Sequence, residues 1–272
     1  MQRPQGPAFN LETQQESLPP TFEAIQHNLA RSYVWAMAVL ETGVEQKADV
    51  VCLQEAPREI AGRGISHSAY VIRKRKRVWT AVCKGCGLTM NTRTDLSKNI
   101  GDDVIVLDIK GTGEKIISIV NIYDQRARET GKRPARRLDR QKIIRRGGGG
   151  GMVLAGDFNA NSQRWDRSCT ERREVADWEE IIDERGLVIG NYDRPTHYLS
   201  RNATEGTSIM ELTLANRSFG KWMILNGNHA MGSDHDIIEW EVHMEKEEEA
   251  GGTQVVGWNL AAMSQEDKEQ AE

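Results

Sequence analysis

Cysteine is scarce in this chain: Cys52, Cys83, Cys86 and Cys169 are all that 272 residues contain. A disulfide scaffold needs more, and a chain of this length can bury a core without covalent staples. No apolar run approaches the ~18 residues that span a bilayer. The first twenty residues lack the apolar stretch of a secretory signal. Membrane and secreted classes are therefore disfavoured, and a reducing intracellular compartment is the expectation. Cys83-Lys84-Gly85-Cys86 lacks the second pair that structural zinc sites usually carry, so ordinary strand and turn cysteines are expected. No internal repeat is present.

What is there is charge, unevenly spread. The net charge of -4 divides into -1 for residues 1–20, -6 for 244–272 and +3 for 21–243. Four of the seven prolines fall in 1–20, which reads as a disordered leader. The acidic run Glu245 to Glu249 and Gly251-Gly252 mark 244–272 as a flexible tail, leaving 21–243 as the folded domain. Within that domain Arg73-Lys74-Arg75-Lys76-Arg77 is five consecutive cations, and 126–146 holds ten basic and two acidic residues. Such clusters attract a polyanion or are simply solvated loops. Five glycines follow at 147–151, too costly in backbone entropy for regular structure. The segment 126–151 is therefore expected to be exposed.

Apolar spacing predicts a helix over 34–47, with Gly43 as a weak point, and a second over 171–186 whose Val175, Trp178, Ile181 and Ile182 share one face. Short apolar, β-branched runs predict strands at 50–53, 69–72, 78–83, 87–90, 103–109, 116–122, 152–156, 187–190, 208–214, 222–225 and 236–243. Gly111-Thr112-Gly113 reads as a hairpin turn. Many strands with few helices, several pairs reading as antiparallel, make the fold class α+β.

Three polar clusters sit at the ends of these strands: Gln54-Glu55, Asp157-Phe158-Asn159 and Ser233-Asp234-His235. Strand ends line a sheet rim, where a cleft can form. Glu55, Asp157, Asn159 and Asp234 offer hard oxygens of the kind magnesium takes. His235 adds a group suited to hold a phosphoryl oxygen or move a proton. Each cluster alone also fits a solvated end, a turn or a cap.

Taken in order, the motifs resemble the endonuclease/exonuclease/phosphatase superfamily. They are Ile25-Gln26-His27-Asn28, Cys52-Leu53-Gln54-Glu55, Val120-Asn121-Ile122-Tyr123, Leu154-Ala155-Gly156-Asp157-Phe158-Asn159 and Gly232-Ser233-Asp234-His235. Within it the chain is similar to the endonuclease domains of LINE-type (non-LTR) retrotransposons. That similarity rests on Ala30-Arg31-Ser32, Trp165, Arg194-Pro195-Thr196-His197 and Ile209-Met210-Glu211-Leu212-Thr213-Leu214-Ala215. Gly257-Trp258-Asn259-Leu260 resembles the start of the linker that leads toward a reverse transcriptase in such polyproteins.

The resemblance implies a four-layered α/β sandwich, with two facing, mainly antiparallel sheets and helices outside. It implies Glu55, Asn28 and Asp234 at a magnesium ion, or manganese in its place. Tyr123 would donate to the scissile phosphate, Asp157 would activate the attacking water, Asn159 would hold both, and His235 would bind the phosphate. Thr196 and Trp165 would contact nucleic acid, with packing at a loop root an equal alternative for Trp165. Arg73 to Arg77 are the best backbone-contact candidates outside the site. Glu211 stands where the family has the aspartate that pairs with the catalytic histidine. It is one methylene longer, and ~1 Å of misplacement costs ~100-fold in rate. On that ground Glu211→Asp is expected to raise activity.

Three functions follow. The first is a magnesium-dependent endonuclease that nicks DNA, whose partners are DNA and a linked reverse transcriptase and whose place is nuclear. The second is a catalytically impaired relic that binds nucleic acid or a partner. The third is a phosphoesterase on another substrate, since fold does not fix substrate.

Overall fold

A computed structural model describes residues 21–57, 65–111, 116–124, 138–140, 142–143, 151–169, 175–191, 194–198, 207–216, 219–225 and 233–243. The leader, the acidic tail, the 112–113 turn and glycines 147–150 lie outside the described residues. Gly151, the last of the glycine run, opens a strand.

The described elements are, in chain order, β1 (Thr21–Asn28), α1 (Tyr33–Glu45), β2 (Val50–Gln54), β3 (Tyr70–Arg75), β4 (Val78–Cys83), β5 (Thr89–Thr92) and α2 (Thr94–Ile100). There follow β6 (Val104–Lys110), β7 (Ile116–Tyr123), β8 (Gly151–Asp157), α3 (Ala176–Arg185), β9 (Val188–Ile189), β10 (His197–Tyr198), β11 (Thr207–Ser208), β12 (Glu211–Ala215), β13 (Phe219–Leu225) and β14 (Ile237–His243).

Two six-stranded sheets carry the fold, ordered β13-β14-β1-β2-β4-β3 and β5-β6-β7-β8-β12-β9, with β10-β11 as a separate ribbon. Between them, Phe22, Ala24, Val50, Cys52 and Trp240 of the first sheet meet Leu107, Ile117, Ile119, Val153 and Ala155 of the second in one buried cluster. Ala36, Val39 and Leu40 of α1 cover the other face of the first sheet against Ile25, Val51, Leu53 and Ile237. Trp178, Ile181 and Ile182 of α3 cover the second against Val120, Leu154, Leu212 and Leu214. The result is a four-layered α+β sandwich. Among the described residues no helix is long and apolar enough to cross a membrane.

Local chemistry explains the elements. Ser32 caps α1 by accepting the Trp35 N–H at 3.2 Å. Gly43 sits inside that helix because the Tyr70 hydroxyl, bonded to the Ala48 carbonyl, would lie 2.8 Å from any Cβ there. Gly186, in the left-handed region, ends α3 with its N–H on Asp183.

Each sheet has one parallel pair, β1–β2 and β7–β8; the other described pairs are antiparallel. The carboxyl ends of these two pairs hold Asn28, Gln54, Tyr123 and Asp157, so both sheets bring strand-end polar groups to one place.

Three expectations change. The strand β1 and the helix α2 are additions to the sequence reading. The cations 73–77 are not a loop: they end β3 and turn into β4. Nor is the whole of 126–151 exposed, for Leu138, Arg140 and Ile143 are buried. Arg140 is drawn inward by Asp124 at 2.6 Å and Asp177 at 2.7 Å, its guanidinium over the Trp178 ring.

Candidate active site

Strand register builds the site. In the second sheet Asp157 at the end of β8 lies opposite both Tyr123 of β7 and Glu211, the first residue of β12. In the first sheet Asn28 lies opposite Gln54, and Glu55 follows in the left-handed region at φ 43°. The Leu29 and Arg31 N–H groups hold the two strand ends together through the Gln54 and Glu55 carbonyls. Asn28 then joins the sheets: its Nδ2 donates to Asp157 Oδ2 at 2.9 Å. The other Asp157 oxygen accepts the Asn159 N–H at 2.9 Å, with Asn159 at φ 47°.

Gly156 is required by this packing. It sits at φ 154°, and a Cβ there would lie 2.0 Å from the Ile122 carbonyl oxygen of β7.

His235 arrives from the start of β14. Ser233 fixes that approach, its hydroxyl donating to the Asn28 carbonyl and accepting the His235 N–H. His235 Nδ1 donates to Glu211 Oε1, so the longer carboxylate does reach the imidazole. Burial opposes the imidazolium, but Glu211, then Asp157 and Asp234, lift His235 to about 9. Burial, then the Glu211 charge, raises Asp157 to about 8 against the pull of His235 and the Asn159 N–H.

Tyr123 donates to Glu55 Oε1, while Arg31 Nε reaches Glu55 Oε2 at 3.2 Å. Burial and this bond to Glu55 push the phenol upward, so it stays protonated. The Arg77 guanidinium lies over the Tyr123 ring at 5.8 Å. Asp234 faces a different set: His197 Nε2 at 3.7 Å and His235 Nε2 at 3.6 Å. The His197 imidazole, then His235, against the cost of burial, holds Asp234 down at about 2.

Of the residues expected to act, Asn28, Asp157 and Asn159 form one hydrogen-bonded group and Glu211 and His235 another, joined through Ser233, with Glu55 and Tyr123 bonded to each other beside them. Among the described residues two clusters of acid and imidazole ligands form, Asp157-Glu211-His235 and His197-Asp234-His235, and Glu55 is in neither.

Two expected nucleic-acid contacts lose their footing. Trp165 is fully buried in the cluster under α3, where no base can reach its face. Thr196 is also fully buried, and its hydroxyl accepts the Met210 and Glu211 N–H groups at 3.2 and 3.3 Å. Thr196 thus holds the start of β12, and its carbonyl accepts the Asp236 N–H, so it orients Glu211 and the His235 strand together.

Of the five cations, Arg73 donates to Thr92, Lys74 lies over Trp79, Arg75 donates to the Gly101 and Asp102 carbonyls, and Lys76 pairs with Asp102. The four cysteines are free, and burial pushes the Cys52 thiol to about 12 and the Cys86 thiol to about 11.

The polar joints between the sheets have no role that the sequence alone assigns. Gln54 donates to Asn121 at 2.7 Å, Asn121 to the Trp79 carbonyl at 2.8 Å, and Thr213 to Gln26 at 3.0 Å. Their sequence signal is a polar residue inside an otherwise apolar strand. His197 closes the stretch from Arg194, yet its chain position alone gives it no chemical role.

With this geometry in place, the likeness to known structures is clear. The chain covers the whole of the endonuclease domain of TRAS1, a telomere-specific non-LTR retrotransposon, over 84% of its own length, at TM-score 0.65 and 18% identity. It matches the AP endonuclease LMAP from Leishmania major at TM-score 0.59 and 14% identity, over 82% of this chain and 88% of that one. An AP endonuclease from Archaeoglobus fulgidus matches at TM-score 0.55 and 15% identity, over 80% and 98%.

This is the endonuclease/exonuclease/phosphatase fold.

Residues 117–239 match the family model described as endonuclease-reverse transcriptase, a stretch that runs from β7 to β14 and carries Tyr123, Asp157, Glu211 and His235. Among curated protein sequences none matches. The resemblance to non-LTR retrotransposon endonuclease domains, first carried by short motifs, thus extends to the fold of the sandwich.

Proposed function

We propose that this chain is a divalent-metal-dependent endonuclease that hydrolyses phosphodiester bonds of DNA, of the kind found in non-LTR retrotransposons. One observation carries the reading: two hydrogen-bonded pairs drawn from both sheets, Asn28 with Asp157 and His235 with Glu211, are tied together through Ser233 at the carboxyl ends of the two parallel strand pairs. Phosphodiester hydrolysis needs a nucleophile, donors on the non-bridging oxygens and a cation for the developing charge.

His235, kept charged by Glu211, is the donor to a phosphoryl oxygen. Asp157 takes the proton of the attacking water, its raised affinity for protons bringing it near the working range of a general base. Asn28 and the Asn159 N–H keep that carboxylate aimed.

The donor set fits a magnesium ion. Glu55 is a half-buried hard oxygen donor at the rim, and the Asn28 side-chain oxygen, which accepts the Ala30 N–H, keeps a second lone pair. When bound there, magnesium, or manganese, supplies Lewis-acid stabilisation of the phosphoryl charge. Tyr123 holds the Glu55 carboxylate through its hydroxyl. DNA as substrate is supported by the cations of the β3–β4 turn, with Arg77 over Tyr123. A reverse transcriptase linked to this chain is supported by the matching family model.

The impaired-relic reading drew on Glu211, and the hydrogen bond from His235 to Glu211 weakens it. Nicking of supercoiled plasmid by the 272-residue chain tests the proposal, with magnesium, with EDTA, and with Glu55→Ala and His235→Ala. Magnesium-dependent nicking lost in both variants is expected. A folded protein that binds DNA without nicking it would overturn the proposal.

A further inference from the structure

His197 comes to the site on β10, whose backbone bridges to His235 and whose Tyr198 N–H donates to the Asp234 carbonyl at 2.8 Å. The two imidazole rings lie 4.7 Å apart, tilted by 52°. Each ring is held at Nδ1 by an oxygen: His197 by the Ser208 hydroxyl at 3.1 Å, and His235 by Glu211. Both Nε2 atoms are turned toward the Asp234 carboxylate, at 3.7 and 3.6 Å. One ligand atom from each of the three residues lies within 4.8 Å of the others.

That arrangement matches a borderline metal ion and not magnesium. Zinc takes imidazole nitrogen and carboxylate oxygen at ~2.0–2.2 Å, which in a tetrahedron sets neighbouring ligands ~3.4 Å apart. The two nitrogen–carboxylate separations, each to a different Asp234 oxygen, exceed that by a few tenths of an ångström, and all three ligand atoms fall within 4.8 Å of one another. A zinc-ligating histidine characteristically spends its other ring nitrogen on an oxygen that fixes the tautomer and raises basicity. Here both histidines do so. The half-exposed Asp234 side chain leaves an entry path and room for a fourth ligand.

We propose that His197, Asp234 and His235 form a second metal site, selective for zinc-class ions (Zn2+, Co2+, Ni2+) over magnesium. Binding replaces the Nε2 proton of His235, which is released to solvent. On the endonuclease reading above, an ion held there occupies the nitrogen that meets the phosphate, so the site acts as a metal-sensitive brake. The metal site itself stands on the geometry alone.

Cobalt titration of the 272-residue chain in EDTA-free buffer tests it, because four-coordinate Co2+ absorbs in the visible. Visible bands saturating near one equivalent, and abolished by one equivalent of Zn2+, are expected. His197→Ala and Asp234→Asn should each weaken Co2+ binding about tenfold or more, whereas Glu55→Ala should leave the spectrum intact. Asp234→Asn alters an exposed side chain, so it keeps the test open if His197→Ala does not fold. No visible bands, or bands surviving in either variant, would overturn the site. Plasmid nicking is scored separately: zinc inhibition of the parent requires both proposals, while cobalt bands without nicking sink only the endonuclease.

Discussion

At the scale of single residues, Glu211 decides most. Its extra methylene is taken up by position, since β12 starts at Glu211 opposite Asp157 and the side chain still bonds His235. The sequence-based expectation that Glu211→Asp raises activity therefore reverses. Aspartate on this backbone falls about one C–C bond short of Nδ1 in a fully buried setting. Nicking by Glu211→Asp should drop by roughly 10–100-fold, and a rate equal to or above the parent's would show that the backbone adapts. The same pair sets a pH dependence. His235 is lifted from its ordinary 6.5 to about 9, so the folded state holds the proton more tightly than the unfolded chain. Its contribution to stability is then fully present below pH 6.5 and lost as pH rises through 9. Asp157, raised from 3.8 to about 8, acts in the same direction from lower pH. In EDTA, the urea midpoint of the parent should fall between pH 6.5 and 9.5, and His235→Gln should flatten that fall. An equal fall in His235→Gln would remove the histidine as its cause.

At the scale of elements, the close approach of β8 to β7 carries the site. Gly156 lets Asp157 stand opposite Tyr123, and a methyl there meets backbone that cannot swing aside. Gly156→Ala should cost about 3 kcal/mol or more, or prevent folding, because strained backbone and a forced strand separation add. An unfolding free energy from urea titration within about 0.5 kcal/mol of the parent would contradict that packing. Elements with one dominant signal were legible in the sequence: the unbroken Val50 to Leu53 run, the one-sided face of α3, and the strand-end motifs. The strand β1 was not, because its last three residues, Gln26, His27 and Asn28, are polar yet wholly buried, their partners coming from distant segments. Thr196, and the nucleic-acid alternative for Trp165, misled for a related reason. Spacing from a motif fixes their place in the chain, whereas their burial depends on α3 and β12, which arrive later. Glu211 was legible as a departure but not as a hydrogen-bond partner already in reach, since only register shows how far it must extend.

At the scale of the whole molecule, the net charge of -4 is acidic although residues 21–243 carry +3, so the proposed DNA binding depends on where cations are free to meet phosphate. The five cations from Arg73 to Arg77 differ in this respect. Arg75 is committed to the Gly101 and Asp102 carbonyls and joins the β3–β4 hairpin to the α2–β6 connection across the sandwich. Arg73 and Lys76 are exposed, and an exposed pair such as Lys76 with Asp102 contributes little to stability. A phosphate replaces such a partner readily, and each neutralised phosphate releases counterions, giving affinity that falls steeply with salt. Arg73→Gln with Lys76→Gln should therefore weaken binding to all DNA sequences alike. It should also flatten the plot of log affinity against log salt by about 0.9 for each phosphate that the variant no longer neutralises. Unfolding should be nearly unaffected in this double variant. Arg75→Gln should do the opposite, leaving the two carbonyls without their donor and lowering the urea midpoint more than the salt slope. Fluorescence anisotropy with two unrelated duplexes between about 50 and 200 mM salt separates the two effects. An unchanged slope in the double variant would mean that the turn is only solvated and that DNA is met elsewhere on the rim.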